Sequence, residues 1–148
     1  MKIGIASDHA GYELKEYLKI NLQKDGYEII DYGPFLKKVV DYPDYAEKVA
    51  KGILNKEIEY GILICGTGIG MDIVANKFNG IRAARCCSTY DAFLARQHND
   101  ANVLTLGGRL IGKELALEIA KIFLSTPFSK GRHLKRVNKI KKIDNEKN

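Results

Sequence analysis

The segment Cys65-Gly66-Thr67-Gly68-Ile69-Gly70 places a thiol directly before a turn with three alternating glycines. Backbone N–H groups in such a turn can converge on an anion when a helix begins there. A thiol at this position favours its thiolate form, which can act as a base. The same residues also fit a tight strand-to-helix turn whose glycines supply positive φ, with the cysteine as a small buried hydrophobe. The spacing leaves both interpretations open.

Two of the three histidines stand beside other polar residues. His9 follows Asp8 after the first apolar run, and His98 precedes Asn99. Imidazole changes its charge near neutral pH, so it suits proton transfer and phosphate contact. A lone histidine is also commonly an ordinary surface residue. We expect His9 and His98 to occupy neighbouring functional positions.

Positive charge is concentrated near the C-terminus. Seven lysines and arginines and no acidic residue lie between residues 130 and 142, which exceeds the net charge of +6 for the whole chain. The rest of the protein is therefore close to neutral, which argues against an extended nucleic-acid surface. Arg132 and Arg136 are four residues apart, so a helix would place both guanidinium groups on one face, where they could bind a phosphate. A solvated basic tail is the alternative.

Motifs for other chemistries are absent from the sequence. There is no zinc-ligand spacing, dinucleotide fingerprint or Walker A loop, so neither a metal nor a cofactor is expected. The three cysteines are unevenly placed and odd in number. Because no signal-like segment precedes the first apolar run, we expect free thiols and a cytoplasmic protein. No apolar run approaches the ~20 residues of a membrane helix.

Short β-branched runs alternate with longer segments of helical period. Strands are predicted over 2–7, 27–32, 60–65, 81–86 and 102–106. Helices are predicted after the first two strands and over 69–78, 89–98, 112–125 and 131–143. This order predicts an α/β fold: a Rossmann-like, doubly wound, five-stranded parallel sheet with flanking helices. We expect a single domain over 1–148, in which 131–148 is a basic C-terminal helical tail.

The apolar pattern also predicts which strand is central and which side chains face the core. The run 60–65 is the most apolar, as is typical of a strand buried on both faces. Leu134, Val137 and Ile140 are predicted to face inward from the tail, and residues 33–43, with Pro34 and Pro43, form a loop. Ligands bind beyond the carboxyl ends of parallel strands, so the residues that follow strands one, three and five, Arg109 included, are expected at one edge.

Several longer strings resemble a known family of sugar-phosphate isomerases, which includes ribose-5-phosphate isomerase type B and the allose-6-phosphate and galactose-6-phosphate isomerases. The similarity runs from Lys2 to about Ile143. The strings are Ser7-Asp8-His9-Ala10-Gly11, Asp41-Tyr42-Pro43, Cys65-Gly66-Thr67-Gly68-Ile69-Gly70, Ala75-Asn76-Lys77, Gly80-Ile81-Arg82-Ala83, Arg96-Gln97-His98-Asn99-Asp100 and Gly131-Arg132-His133. Met71-Asp72 is a modest departure from the family pattern.

The resemblance implies a mechanism as well as a fold. Cys65 would move a proton between C1 and C2 of the open-chain sugar through an enediolate. The Gly66–Gly70 amides and the Thr67 hydroxyl would stabilise the negative charge, and His98 would assist ring opening. Substrate contacts would come from further side chains. These are Asp8 and Asn99 for the sugar hydroxyls, His9, Arg132 and Arg136 for the phosphate, and Arg109 as a further substrate contact.

The resemblance further implies a homodimer or tetramer with its active site at the subunit interface and no cofactor. Ribose 5-phosphate and ribulose 5-phosphate are the expected substrates. A six-carbon sugar phosphate or a free aldose such as allose is the alternative within the family. A non-catalytic nucleotide- or nucleic-acid-binding module is the alternative from another class, and the neutral body of the chain counts against it.

Overall fold

The alternation of strands and helices along the chain builds one sheet. The computed structural model describes residues 1–146, so the predicted domain 1–148 and tail 131–148 extend two residues beyond the described ones. The elements in order are β1 (Lys2–Ser7), α1 (Tyr12–Lys24), β2 (Glu28–Asp31), α2 (Tyr42–Leu54), β3 (Tyr60–Cys65), α3 (Ile69–Ala75), β4 (Ala83–Arg85), α4 (Thr89–Asn99), β5 (Val103–Gly107), α5 (Lys113–Ser125) and α6 (Arg132–Glu146).

The five strands are parallel and pair in the order β2-β1-β3-β5-β4. The predicted central position of β3 is confirmed, because it lies between β1 and β5 and its last five residues are buried. Its register pairs Ser7 with Ile64 on one side and Gly107 with Cys65 on the other. The carboxyl ends of β1, β3 and β5 therefore meet at one edge of the sheet.

Helices cover both faces of the sheet, as a doubly wound fold requires. The core on one face joins α1, α4 and α5 to side chains such as Ile62 and Ile64. The core on the other face joins α2 and α3 to Leu63 and Cys65. Successive residues of β3 thus supply opposite cores, because side chains alternate along a strand. The Cys65 thiol lies on the α2 and α3 face.

Several predicted boundaries and orientations need correction. Pro43 lies in the first turn of α2 rather than in the loop, since a proline there lacks only an N–H that has no helical partner. The helix predicted over 69–78 ends at Ala75. On α6 only Val137 of the predicted apolar set is buried, whereas Leu134 and Ile140 are about 40% exposed (41% and 39%). The helix contacts the rest of the chain along a narrow strip.

Among residues 1–146, no helix is long and apolar enough to cross a membrane.

Candidate active site

The loop after β1 is tightly folded against the start of the next helix. Asp8 is nearly buried, and its Oδ1 accepts hydrogen bonds from the Ala10 and Gly11 N–H groups at 2.9 and 3.1 Å. Its own N–H donates to the Ile64 carbonyl at 3.1 Å, which ties the loop to β3. A local turn of this kind fixes the Asp8 carboxylate beside the end of the central strand.

The glycine turn after β3 requires glycine for two physical reasons. Gly68 has φ +79°, a left-handed conformation that side chains disfavour. A Cβ at Gly68 would lie 2.9 Å from the Leu106 carbonyl carbon, and a Cβ at Gly107 would lie 2.8 Å from the Thr67 backbone. The turn is therefore a tight corner pressed against the end of β5. Of the two interpretations of this spacing, the tight strand-to-helix turn is confirmed.

The Cys65 thiol lies inside this corner. Its side chain is nearly buried, and the Gly68 N–H donates a hydrogen bond to its Sγ at 3.1 Å. This hydrogen bond fixes the sulfur atom at the end of the central strand, within the glycine turn.

The remaining polar atoms of the turn are also held in place. The Thr67 Oγ1 accepts from the Ile69 N–H at 3.2 Å, and Ile69 itself is half exposed. The Arg109 N–H donates to the Gly66 carbonyl at 3.0 Å, and its guanidinium lies 3.3 Å from where a Cβ of Gly66 would be. Arg109 therefore lies across the turn and brings a positive charge to it.

A cleft of 470 Å³ lies beside the turn, and His9, Lys38 and Arg109 are among the residues that line it. A fourth cationic side chain, Lys37, also lines the cleft, where it pairs with the Glu13 carboxylate at 2.6 Å. The His9 Nδ1 lies 3.3 Å from the Val40 carbonyl oxygen, which links the β1 loop to residues 33–41. The cleft can bind a small anion beside Arg109, which itself lies against the glycine turn.

His98 and Asn99 lie elsewhere in the chain. They end α4, which runs back to the start of β5, so they lie at the opposite edge of the sheet from His9. The expectation that His9 and His98 are neighbours within one chain is therefore wrong. Parallel strands need helices that return the chain to the starting edge, and α4 is such a helix.

The length of β3 gives the distance between the two edges of the sheet. The Arg96 guanidinium donates to the Tyr60 hydroxyl at 3.0 Å, so the last turns of α4 lie near the first residue of β3. Cys65 is five residues further along the strand, or about 16 Å at about 3.3 Å per residue. A side chain of His98 cannot cover that distance to hydrogen-bond a ligand held at Cys65.

Arg132 and Arg136 lie on the same side as His98. The two histidine rings of His98 and His133 stack with centroids 4.0 Å apart and an angle of 12°. Burial lowers the pKa of His133, and the nearby His98, Arg132 and Arg136 charges lower it further. His133 is therefore neutral at pH 7. Both arginines are exposed.

The C-terminal half of α6 is anchored to the loop before β4. The Asp144 carboxylate accepts from the Gly80 N–H at 2.9 Å, and the Asp144 carbonyl accepts from the Asn79 amide at 2.8 Å. These contacts, with the buried Val137, fix the direction in which the helix presents its basic side chains.

Two residues near the turn were not predicted from the sequence. The Arg85 Nε donates to the Thr67 carbonyl at 2.8 Å, and the Tyr42 ring lies 2.7 Å from where a Cβ of Gly70 would be. The signal for Arg85 is a single charge within an otherwise apolar strand. The Asp41-Tyr42-Pro43 string marks Tyr42 but does not show where it packs.

The sheet and the turn together define a doubly wound α/β protein with a candidate site at the carboxyl edge of its strands. The model of the ribose/galactose isomerase family matches residues 3–140. Ribose-5-phosphate isomerase B of Escherichia coli is 46% identical over 147 residues, which is 99% of each chain.

Solved structures give the same result. Ribose-5-phosphate isomerase B of Clostridium thermocellum is 50% identical, with a TM-score of 0.98 and full coverage of both chains. The Mycoplasma genitalium enzyme with bound ribulose-5-phosphate is 41% identical, with a TM-score of 0.94 and coverage of 98% of this chain and 97% of that one. The chain belongs to the ribose/galactose isomerase family and is an isomerase.

Proposed function

We propose that this chain interconverts ribose 5-phosphate and ribulose 5-phosphate, with Cys65 as the base. The observation that carries the proposal is the Cys65 Sγ, held at 3.1 Å from the Gly68 N–H beside a cleft lined by cationic side chains. The relatives named for this reaction, and the one with ribulose-5-phosphate bound, support the choice of substrate.

The reaction needs one group that takes a proton from one carbon and returns it to the next. The Cys65 thiolate removes the proton from C2 of the open-chain aldose, and the C–H electron pair becomes the enediolate double bond. The charge that develops on oxygen is stabilised by N–H groups of the Gly66–Gly70 turn and by the Thr67 hydroxyl. The thiol then returns the proton to C1 while the O2 hydroxyl proton passes to O1, so that C2 becomes the carbonyl carbon of the ketose.

Phosphate binding and ring opening need groups that this edge of one chain lacks. We infer that a second copy of the chain brings His98, Asn99, Arg132 and Arg136 to the cleft. His98 then assists transfer of a proton to the ring oxygen, and Asn99 and Asp8 hold sugar hydroxyls. The separation of about 16 Å between the two edges supports a site built from two chains. The exposure of both arginines supports it as well.

The phosphate is assigned to cationic groups from both copies. His9 lines the cleft of one chain, with Arg109 beside it as a further substrate contact, and Arg132 and Arg136 approach from the other chain. This arrangement leaves the glycine amides free for the enediolate. It also gives the basic C-terminal tail a role at the neighbouring subunit. We place the enzyme in the cytoplasm, where its three free cysteines stay reduced.

Turnover of purified protein with ribose 5-phosphate, without added metal or cofactor, tests the proposal. Cys65→Ala should reduce kcat by about 10²–10⁴-fold, the usual contribution of a general base, while substrate still binds. Cys86→Ala is the matched control: Cys86 is buried on the other face of the sheet, so the variant should keep its kcat. Full activity of Cys65→Ala together with loss in Cys86→Ala would overturn the assignment of the base.

A panel of sugars separates the alternatives within the family. Ribose 5-phosphate should give the highest kcat/KM, compared with allose 6-phosphate, galactose 6-phosphate and free allose. A higher kcat/KM for a six-carbon substrate would replace the proposed substrate and keep the reaction class. Strong, salt-dependent binding of polynucleotide would instead favour the non-catalytic alternative.

A further inference from the structure

Arg85 ends the edge strand β4 and reaches the glycine turn. It pairs in register with Thr105 of β5, so both side chains lie on the α3 face of the sheet. From there the Arg85 Nε donates to the Thr67 carbonyl at 2.8 Å. This contact joins the outermost strand to the turn that holds the proposed base.

The Thr67 carbonyl belongs to the same peptide group as the Gly68 N–H. A trans peptide is planar, and its C=O and N–H point in opposite directions. The carbonyl accepts from Arg85, and the N–H donates to the Cys65 Sγ at 3.1 Å. A single rigid peptide group therefore separates the guanidinium from the thiol.

The other carbonyls of the turn are held by backbone donors. The Cys65 carbonyl accepts from the Gly108 N–H at 2.8 Å, and the Gly66 carbonyl accepts from the Arg109 N–H at 3.0 Å. A side-chain substitution cannot delete those bonds. The Thr67 carbonyl takes its bond from a side chain, so its support can be removed selectively.

Asp72 stands near Arg85 on α3. Its Oδ1 accepts from the Thr105 hydroxyl at 3.2 Å, and it is partly buried. Burial raises the pKa of Asp72, and the positive charge of Arg85 acts in the opposite direction. The Thr105 hydrogen bond holds the Asp72 carboxylate beside β5, and its attraction for Arg85 favours the position of that guanidinium over the turn.

Other titratable or charged groups also surround the Cys65 turn. These are Asp8 and His9 from the β1 loop, Tyr42 from α2, Asp72 from α3 and Arg109 from the β5 loop. An Arg85 variant substitutes none of these groups.

We propose that Arg85 is a positioning residue for Cys65, which acts through the Thr67–Gly68 peptide. The guanidinium orients the peptide so that its N–H stays aimed at sulfur, and its charge polarises the peptide so that the N–H binds a thiolate more strongly. The catalytic consequence rests on the proposed function. The effect on the thiol itself does not.

The ultraviolet absorbance of the Cys65 thiolate, followed against pH, tests the proposal. Every protein carries Cys87→Ser, because Cys87 is the exposed thiol, and each titration is compared with the same protein carrying Cys65→Ser. Burial raises the pKa of Cys86 to about 12, so it stays silent below pH 10. Kinetic constants for ribose 5-phosphate are measured on the same proteins that retain Cys65.

Arg85→Ala should move the Cys65 midpoint upward by about half a pH unit, a threefold change in the thiolate equilibrium. Its kcat should fall about tenfold, equivalent to about 1.4 kcal/mol in the barrier, with KM within about twofold. Arg85→Lys, which keeps the charge, should lie between wild type and Arg85→Ala. Lys24→Ala removes an exposed charge at the end of α1 and should match wild type.

Superposable titrations of wild type and Arg85→Ala would overturn the proposal, whatever happens to turnover. An equal shift in Lys24→Ala would also overturn it, because the effect would then reflect net charge alone. If no protein isomerises ribose 5-phosphate, the proposed function fails, but the titration still decides the role of Arg85.

Discussion

Two variants that are each impaired should regain activity when their subunits are mixed. One is Cys65→Ala, at the carboxyl edge of the sheet, and the other is His98→Ala, at the end of α4 on the opposite edge. Strand β3 rises about 16 Å from Tyr60, which contacts the last turns of α4, to Cys65, so one substrate cannot contact both positions in the same chain. On the proposed function, a complete site therefore takes them from different chains.

The size of the recovery follows from symmetry. In a two-fold dimer each of two equivalent sites takes Cys65 from one chain and His98 from the other. A mixed dimer then has one site with both residues intact and one site that lacks both. Random exchange of equal amounts makes half of the dimers mixed, so about one quarter of the wild-type sites are restored.

The assay is turnover of ribose 5-phosphate after mixing, partial unfolding in denaturant and refolding. A mass tag on one variant measures the fraction of mixed oligomers. The control pairs Cys65→Ala with Gly68→Ala, two changes at the same edge of the sheet. In that mixture every site carries one change, so activity should stay at the level of the separate variants.

Mixed oligomers without recovered activity would refute this reasoning. That result would mean that His98 does not complete the site of a neighbouring chain. Equal recovery in the control mixture would also refute it, because exchange would then restore activity without regard to which edge was changed.

Two further predictions concern the turn and the stability of the fold. Gly68→Ala should destroy most activity, because the new Cβ would lie 2.9 Å from the Leu106 backbone. Gly26 also has a positive φ, but no atom lies near its Cβ position. Gly26→Ala should therefore keep its kcat and lose about 1–2 kcal/mol of stability in urea unfolding. Asp31→Asn should lower the free energy of unfolding by about 3 kcal/mol, since it leaves the fully buried Lys15 with Glu16 as its remaining ion-pair partner. Burial alone would raise the pKa of Asp31, but hydrogen bonds from Lys15 and neighbours lower it overall. The stabilisation by the Asp31 carboxylate is therefore present above about pH 4, near the ordinary pKa of aspartate, and is lost as the pH falls further. The urea midpoint of wild type should fall over that range, and the midpoint of Asp31→Asn should fall less.

Much of the fold could be predicted from local patterns. The run Tyr60–Cys65 is apolar on both faces because the central strand faces helices on both sides, and the structure has it there. Element ends were less accurate: β4 was predicted over 81–86 but spans Ala83–Arg85, since an edge strand pairs only as far as its neighbour allows. The inward positions of α6 failed because that helix packs through a narrow strip around Val137.

The site was predicted in part. The glycine spacing marked the turn at Cys65, because φ above zero and close backbone approach both demand glycine, and these are local requirements. Arg85 was missed, because its contact with Thr67 depends on the pairing of β4 with β5, which places residues 18 positions apart in contact.

The sequence by itself determined the order of strands and helices, the tight corner after β3 and the kinds of side chain available for chemistry. These depend on residue type and short-range spacing. Only the tertiary structure decided which side chains share an edge. The return helix α4 separates His98 from His9, and the register of β5 with β3 presses Gly107 against the Thr67 backbone. The physical reason is that the strands of a parallel sheet all run in one direction and the helices between them run back. Each edge of the sheet therefore collects residues from distant parts of the chain.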